Sequence, residues 1–155
     1  MSDSSTPLHI PGITDFQPPS VKSLQRMLRV ANAWFSPLFL GLDKRDLSKP
    51  ALWVGNHTLY GLDVPLLVEY LCREQGVFVR GLGDRAHFAV PGWSQLLVRA
   101  GMLLGTPQNC AALMQSGQHV LVFPGGGREV MRRKGEDYQL IWKNRSGFAR
   151  LAIEH

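Results

Sequence analysis

The chain has 155 residues, 45% of them hydrophobic, which suits one domain with a real core and excludes disordered, collagen-like and disulfide-rich classes. Seventeen Lys and Arg against twelve Asp and Glu leave a formal net charge of +5, so the expected partner is acidic, either nucleic acid or an anionic membrane surface. No helix-turn-helix, zinc-finger or RNA-binding-sheet signature is present, and nucleic acid is therefore not expected as a partner.

In chain order, the polar, proline-rich segment 1–20 is expected to be a flexible tail. It lacks a signal-peptide pattern, and no uncharged apolar stretch is long enough to span a bilayer. A helix is predicted from Val21, where Val21, Leu24, Met27, Leu28, Ala31, Trp34, Phe35 and Leu38 recur at three- and four-residue spacings. Lys22, Arg26 and Arg29 occupy its other face. Segment 21–41 is thus expected as a basic amphipathic helix close to a membrane, its apolar stripe lying in the lipid interface, on the core, or bridging both. These features together point to a peripheral, membrane-associated protein on the cytoplasmic side.

After the polar patch Lys44–Lys49, the run Ala51–Gly55 predicts a buried strand leading into Asn56 and His57. Leu62–Arg73 predicts a helix with Pro65 in its first turn. A strand is expected over Val77–Arg80, then a loop over Gly81–Asp84, a helix over Pro91–Ala100 and a strand over Met102–Gly105. Thr106 followed by Pro107 marks a helix start, and Gly117 its stop. His119–Phe123 predicts a fourth strand, and Ser146–His155 a last helix. Cys72 and Cys110 fall inside apolar helical patterns and are expected to be small core residues, neither bonded nor reactive. Strands alternating with helices predict an α/β domain over 50–155, with a mostly parallel or mixed central sheet flanked by helices. The sequence stops in a helix with no strand after it, so the domain is expected to be truncated at its C-terminal side.

Unusual residues gather after two of the predicted strands, where α/β sheets carry their ligand sites. His57 ends the first, and Asp63 opens the following helix. In such a pair the carboxylate accepts one ring N–H and fixes the tautomer, which frees the other nitrogen to take a proton from a hydroxyl. The alternative is a structural histidine and an acid favoured by the helix dipole. The second cluster is Phe123, Pro124, Gly125, Gly126, Gly127, Arg128 and Glu129. Its glycines permit a sharp turn or a close approach, and Arg128 offers a fork for a phosphate or for a carboxylate such as Glu129 or Asp63. A tight turn with an arginine salt bridge is the plainer alternative. The Lys-Ser/Thr ending of a phosphate-binding loop is missing, as is a Gly-x-Ser-x-Gly nucleophile. His57, His87, His119 and Asp63 have no recognised ligand spacing, so no metal is expected. Arg132, Arg133, Lys134, Lys143, Arg145 and Arg150 are either a solvated face or a surface for lipid head groups or coenzyme A phosphates.

Taken together, these segments resemble the glycerolipid acyltransferase superfamily, which is marked by a His-to-Asp motif and, some sixty to seventy residues later, a Phe-Pro-x-Gly-x-Arg motif. The resemblance runs from Leu52 to the last residue. It is carried by Val54–His57, Leu62 and Asp63, Val90–Trp93, Ser116 and Gly117, Phe123–Val130, Arg133–Tyr138 and Trp142. More narrowly, the chain is similar to the diacylglycerol-acyltransferase-like and phytyl-ester-synthase-like branch. The resemblance implies an O-acyltransferase moving a fatty acyl group from an acyl thioester, coenzyme A or acyl carrier protein, to a lipid alcohol, with no cofactor besides that co-substrate. It implies that His57 deprotonates the acceptor, Asp63 orients His57, and Phe123, Pro124, Gly125, Gly126, Arg128 and Glu129 bind substrate. The acceptor then attacks the thioester directly, which agrees with the missing nucleophile.

Two departures stand out. Five residues rather than the usual four separate His57 from Asp63, and Gly125 replaces the usual glutamate, with an acid following at Glu129. Both suit the neutral-lipid branch and argue against glycerol-3-phosphate or lysophosphatidate as acceptor. Two other readings stay open: a lipid esterase or thioesterase that activates water with the same dyad, and a non-catalytic, membrane-binding acyltransferase-like module.

Overall fold

The computed structural model describes residues 12–42, 46–58, 61–136, 139–142 and 144–155. Most of the expected tail, Lys44 and Arg45 of the polar patch, the middle of the loop between His57 and Asp63, Tyr138 and Lys143 lie outside the described residues. Among the described residues eleven elements follow one another: α1 (Val21–Phe35), β1 (Leu52–Val54), α2 (Asp63–Gln75), β2 (Val79–Gly83), α3 (Arg85–Phe88), α4 (Trp93–Arg99), β3 (Leu103–Leu104), α5 (Pro107–Gln115), β4 (His119–Val122), α6 (Gly127–Val130) and α7 (Gly147–Glu154).

The strands form one parallel sheet in the order β1-β4-β2-β3. This is the expected α/β architecture with its sheet flanked by helices. β4 lies inside the sheet and is buried on both faces, as parallel strands under crossover helices are. Val120 joins Ile13, Leu103, Cys110, Leu113 and Met114 on one side, with Leu151 of α7 packed against them. Its neighbour Leu121 points the other way, into Leu71, Val79, Trp53, Val68 and Phe123. α5 and α7 thus cover one face, while α2 covers the other with α1 packed beside it.

Local chemistry explains the element boundaries. The Ser20 hydroxyl accepts from the Ser23 N–H to start α1, and Thr106 does the same for α5 through Asn109, with Pro107 in the first turn. α1 is shorter than the expected 21–41. Ser36 turns left-handed at φ 43, its N–H bonding back to Asn32 O, and Pro37 follows. β2 begins later than expected, because the Val77 N–H caps α2 by donating to Leu71 O. It also runs on through the predicted loop: Gly81 pairs with Leu121, and Leu82 and Gly83 pair with Leu103 and Leu104. The short helices α3 and α6 were not foreseen, being too brief to show a period.

The expected tail does not extend to residue 20 as a free segment. Ile13 is 3% exposed in the core, and the Phe16 ring packs against Phe78 at 5.3 Å. Gln118 ties this segment down by donating to Ile13 O at 3.0 Å, and so does Arg80, which is buried in β2. Its guanidinium donates to Gly12 O (2.6 Å), Gly101 O (2.5 Å) and Gln118 Oε1 (2.7 Å), and lies 3.8 Å from the centre of the Phe16 ring. Burial pushes its pKa down to about 10, with Asp15 opposing, so it stays charged at neutral pH. Among the described residues, no helix is long and apolar enough to cross a membrane.

Candidate active site

β1 and β4 are paired neighbours with Val54 opposite Val122, so the segments leaving their C-terminal ends emerge side by side. The ladder runs one step further, with the Gly55 N–H donating to Val122 O at 3.3 Å. Register alone therefore brings His57 next to the turn that begins at Phe123. The imidazole and the Phe123 ring lie 4.5 Å apart, centre to centre, tilted by 46°.

The imidazole is held on its other side by the chain that follows it. Nδ1 is 2.7 Å from the carbonyl oxygen of Thr58. A carbonyl only accepts, so this contact places the proton on Nδ1 and leaves Nε2 as the basic nitrogen. Nε2 has no hydrogen-bond partner among the described residues. Gly61, at φ +60, stands close to the ring, and a Cβ there would be 3.0 Å from His57 Cε1.

Asp63 is the first residue of α2, a favourable place for an acid. Its Oδ1 accepts from the Thr58 hydroxyl at 2.5 Å. Among the described residues there is no direct His57–Asp63 hydrogen bond. Thr58 stands between them, with its carbonyl on the ring and its hydroxyl on the acid. The five-residue spacing supplies a loop long enough for that arrangement.

After β4 the chain turns tightly, and the Gly126 N–H donates to Phe123 O at 3.0 Å. Arg145 ties the turn down from outside by donating to Pro124 O (2.6 Å) and Gly125 O (3.1 Å). Arg128 does not pair with Glu129 or Asp63. It donates to Glu136 Oε1 (2.5 Å) and Met131 O (2.9 Å), because α6 directs it toward the segment after the helix. The Arg128 hydrogen bond, aided by the Arg133 N–H, holds the Glu136 carboxyl below the usual carboxylate range. Glu129, expected among the substrate contacts, is fully buried. Its oxygens accept the His57 main-chain N–H (2.9 Å) and the Trp142 indole N–H (3.2 Å). A residue with no exposed surface cannot touch a substrate, so its place in the site is underneath.

Phe123, which packs against His57, remains half-buried, as do Pro124 and Gly126, whereas Gly125 is buried. Cys72 and Cys110 are free thiols, and burial raises the pKa of both, which suppresses the nucleophilic thiolate. His119 is buried in β4 with its Nδ1 facing the Trp53 indole N–H at 3.5 Å, and burial lowers its pKa. His87 faces Trp93 in the same way. Among the described residues, no three His, Cys, Asp or Glu side chains gather as a metal-ligand group. Sequence reasoning missed the bridging role of Thr58 and the tie from Arg145, neither of which spacing signals.

Comparison with known proteins identifies the family. The family model described as Acyltransferase matches residues 37–155. Phytyl ester synthase 1, chloroplastic, of Arabidopsis thaliana is 31% identical over 163 residues, covering 90% of this chain and 23% of the relative. Phytyl ester synthase 2 of the same plant is 34% identical over 110 residues, 66% of this chain and 16% of the relative. A third relative, the DGAT1/2-independent enzyme synthesizing storage lipids of Bos taurus, is 31% identical over 124 residues, 80% of this chain and 37% of its own length. The chain thus spans well under half of each of these relatives. No solved structure matches it. The chain belongs to the acyltransferase family, within the glycerolipid superfamily and in the branch of phytyl ester synthases and storage-lipid enzymes.

Proposed function

We propose that this domain transfers a fatty acyl group from an acyl thioester to the hydroxyl of a neutral lipid alcohol, with His57 as general base. One observation carries the reading: the Thr58 carbonyl holds the proton on Nδ1, so Nε2 is available as a base beside the Phe123–Gly126 turn. Nε2 takes the alcohol proton as the oxygen attacks the thioester carbonyl. The C–O bond forms, the C–S bond breaks, and the proton leaves with the thiol. The absence of a Ser or Cys in a nucleophile setting, with both thiols made less acidic, favours one direct displacement over an acyl-enzyme. Relatives named for phytyl ester and storage-lipid synthesis support a long, apolar acceptor. Coenzyme A and acyl carrier protein are equivalent here as the thiol of the donor.

The expected experiment supplies a longer chain containing this domain with labelled acyl thioester, with and without diacylglycerol or a long-chain alcohol. Label should enter ester only when alcohol is present. Free fatty acid released at the same rate in both mixtures would favour the esterase reading instead.

The site also needs access to lipid, and α1 supports a peripheral membrane contact. Leu24 faces the core, while Met27, Val30 and Trp34 stay exposed at 71%, 74% and 83%, continuing into exposed Leu38 and Leu40. Lys22, Arg26 and Arg29 flank this stripe, the arrangement that seats a helix in an anionic lipid interface. Trp34→Glu together with Leu38→Glu should abolish co-sedimentation with vesicles containing phosphatidylserine. Raising salt should weaken, but not abolish, binding of the unaltered chain. Undiminished binding by the double variant would remove α1 from the membrane contact.

A further inference from the structure

Glu129 has no exposed surface, and its carboxylate makes no ion pair among the described residues. Burying a carboxylate costs several kcal/mol unless hydrogen bonds replace its water, so an acid kept in such a place is doing something an apolar side chain would not. Both oxygens are used: Oε2 accepts the main-chain N–H of His57 at 2.9 Å, and Oε1 accepts the indole N–H of Trp142 at 3.2 Å. Its own backbone is pinned as well. The Glu129 N–H donates to Gly126 O at 3.0 Å, and Glu129 O accepts from Arg132 Nε at 3.2 Å.

The acid reaches His57 through the space above Gly125. A Cβ at residue 125 would stand 2.5 Å from Glu129 Cβ and 2.6 Å from Oε2, closer than any real side chain tolerates. Gly125 is therefore required for lack of bulk, to let the Glu129 side chain pass over the turn. The φ of Gly125 lies outside the left-handed region, so its backbone does not itself demand glycine.

We propose that Glu129 is the positioning residue of this site. It grips the backbone of His57 from the β4 side, so that the ring, fixed at Nδ1 by Thr58, directs Nε2 at the acceptor hydroxyl. This inference rests on His57 being the base, as proposed above. Its physical content is separate: one buried carboxylate ties the segment after β1 to the turn after β4 and to Trp142. A base displaced by about 1 Å loses on the order of 100-fold in rate without weaker substrate binding.

The test compares five variants of a longer chain containing this domain: Glu129→Leu, Glu129→Gln, Glu129→Gly, Glu129→Gly with Gly125→Glu, and His57→Ala. Glu129→Leu should lower kcat by on the order of 100-fold, with KM for the acyl thioester unchanged. Glu129→Gln offers one acceptor oxygen in place of two and should fall between Leu and the unaltered chain. The double variant moves the acid to position 125, into the space Glu129 vacates, and should recover at least part of kcat relative to Glu129→Gly alone. Amide NMR gives a readout independent of activity. The His57 N–H, bonded to a carboxylate, should resonate downfield and move upfield in Glu129→Leu and Glu129→Gln.

Unaltered kcat in Glu129→Leu, a change confined to KM, or an unmoved His57 amide would overturn the inference. So would a double variant no better than Glu129→Gly. Should Glu129→Leu fail to fold, the Gln variant and the double variant decide. If His57→Ala keeps full activity, the base assignment fails, whereas the amide shift still reports on the Glu129 clamp by itself.

Discussion

Replacing Arg80 with Met should lower the stability of the domain by roughly 3 kcal/mol, a fall in Tm of roughly 6–12 °C. The side chain is 1% exposed and joins three parts of the fold through Gly12 O, Gly101 O and Gln118 Oε1. Methionine fills most of the volume and removes the desolvation that pushes Arg80 down to about 10. It leaves the buried Gly101 carbonyl and the half-buried Gly12 carbonyl without their donors, and three charge-assisted hydrogen bonds outweigh the desolvation they replace. Lysine keeps the charge but cannot present a planar fork to three acceptors, so Arg80→Lys should lie between the two. Calorimetry measures the loss, and limited proteolysis should show new cleavage between residues 12 and 20, where Phe16 loses its cationic partner. A variant as stable as the original would mean that this buried cation holds nothing in place.

The second large effect is at His57. Alanine removes the imidazole that packs against Phe123, and general-base catalysis is worth about 10²–10⁴-fold in rate. Asp63→Asn should cost less, because Asp63 reaches the ring through Thr58. The amide oxygen of asparagine still accepts the Thr58 hydroxyl, so the loop keeps its shape and mainly loses a negative charge. The ordering His57→Ala worse than Asp63→Asn follows from that geometry, and kcat for alcohol-dependent thiol release measures it. A direct dyad would bring the two effects close together.

The alternation of strands and helices was legible because apolar periods of two and of three to four residues differ sharply over this length. Boundaries failed where local chemistry overrode the period. Gly81 and Gly83 resemble a loop in sequence, yet they pair in β2 and leave room for Met102 and Phe88. The apolar pattern continues past Phe35, yet Ser36 and Pro37 end α1. Ile13 and Phe16 sit in a proline-rich stretch, and they pack through distant partners: Gln118 on Ile13 O, and Arg80 and Phe78 against the Phe16 ring.

At the site, the residue types were readable but their pairings were not. His57 and the Phe123 turn meet through the β1–β4 register, a contact sixty-six residues apart that no local spacing encodes. Thr58 takes the tautomer-fixing role that was expected of Asp63, by a contact with the adjacent residue. Arg128 finds Glu136 rather than Glu129 or Asp63. Glu129, expected to pair with Arg128 or bind substrate, is instead buried, in space that the lack of a side chain at Gly125 leaves open.

The central claim is that the acceptor alcohol loses its proton to His57 while the acyl group passes in a single step. The measurement closest to it is alcohol-dependent thiol release from an acyl thioester by the His57→Ala variant, in a chain whose Tm matches the original. The account predicts a rate at least about 100-fold lower, with ester formation falling in parallel. An unchanged rate in a folded His57→Ala protein would contradict it.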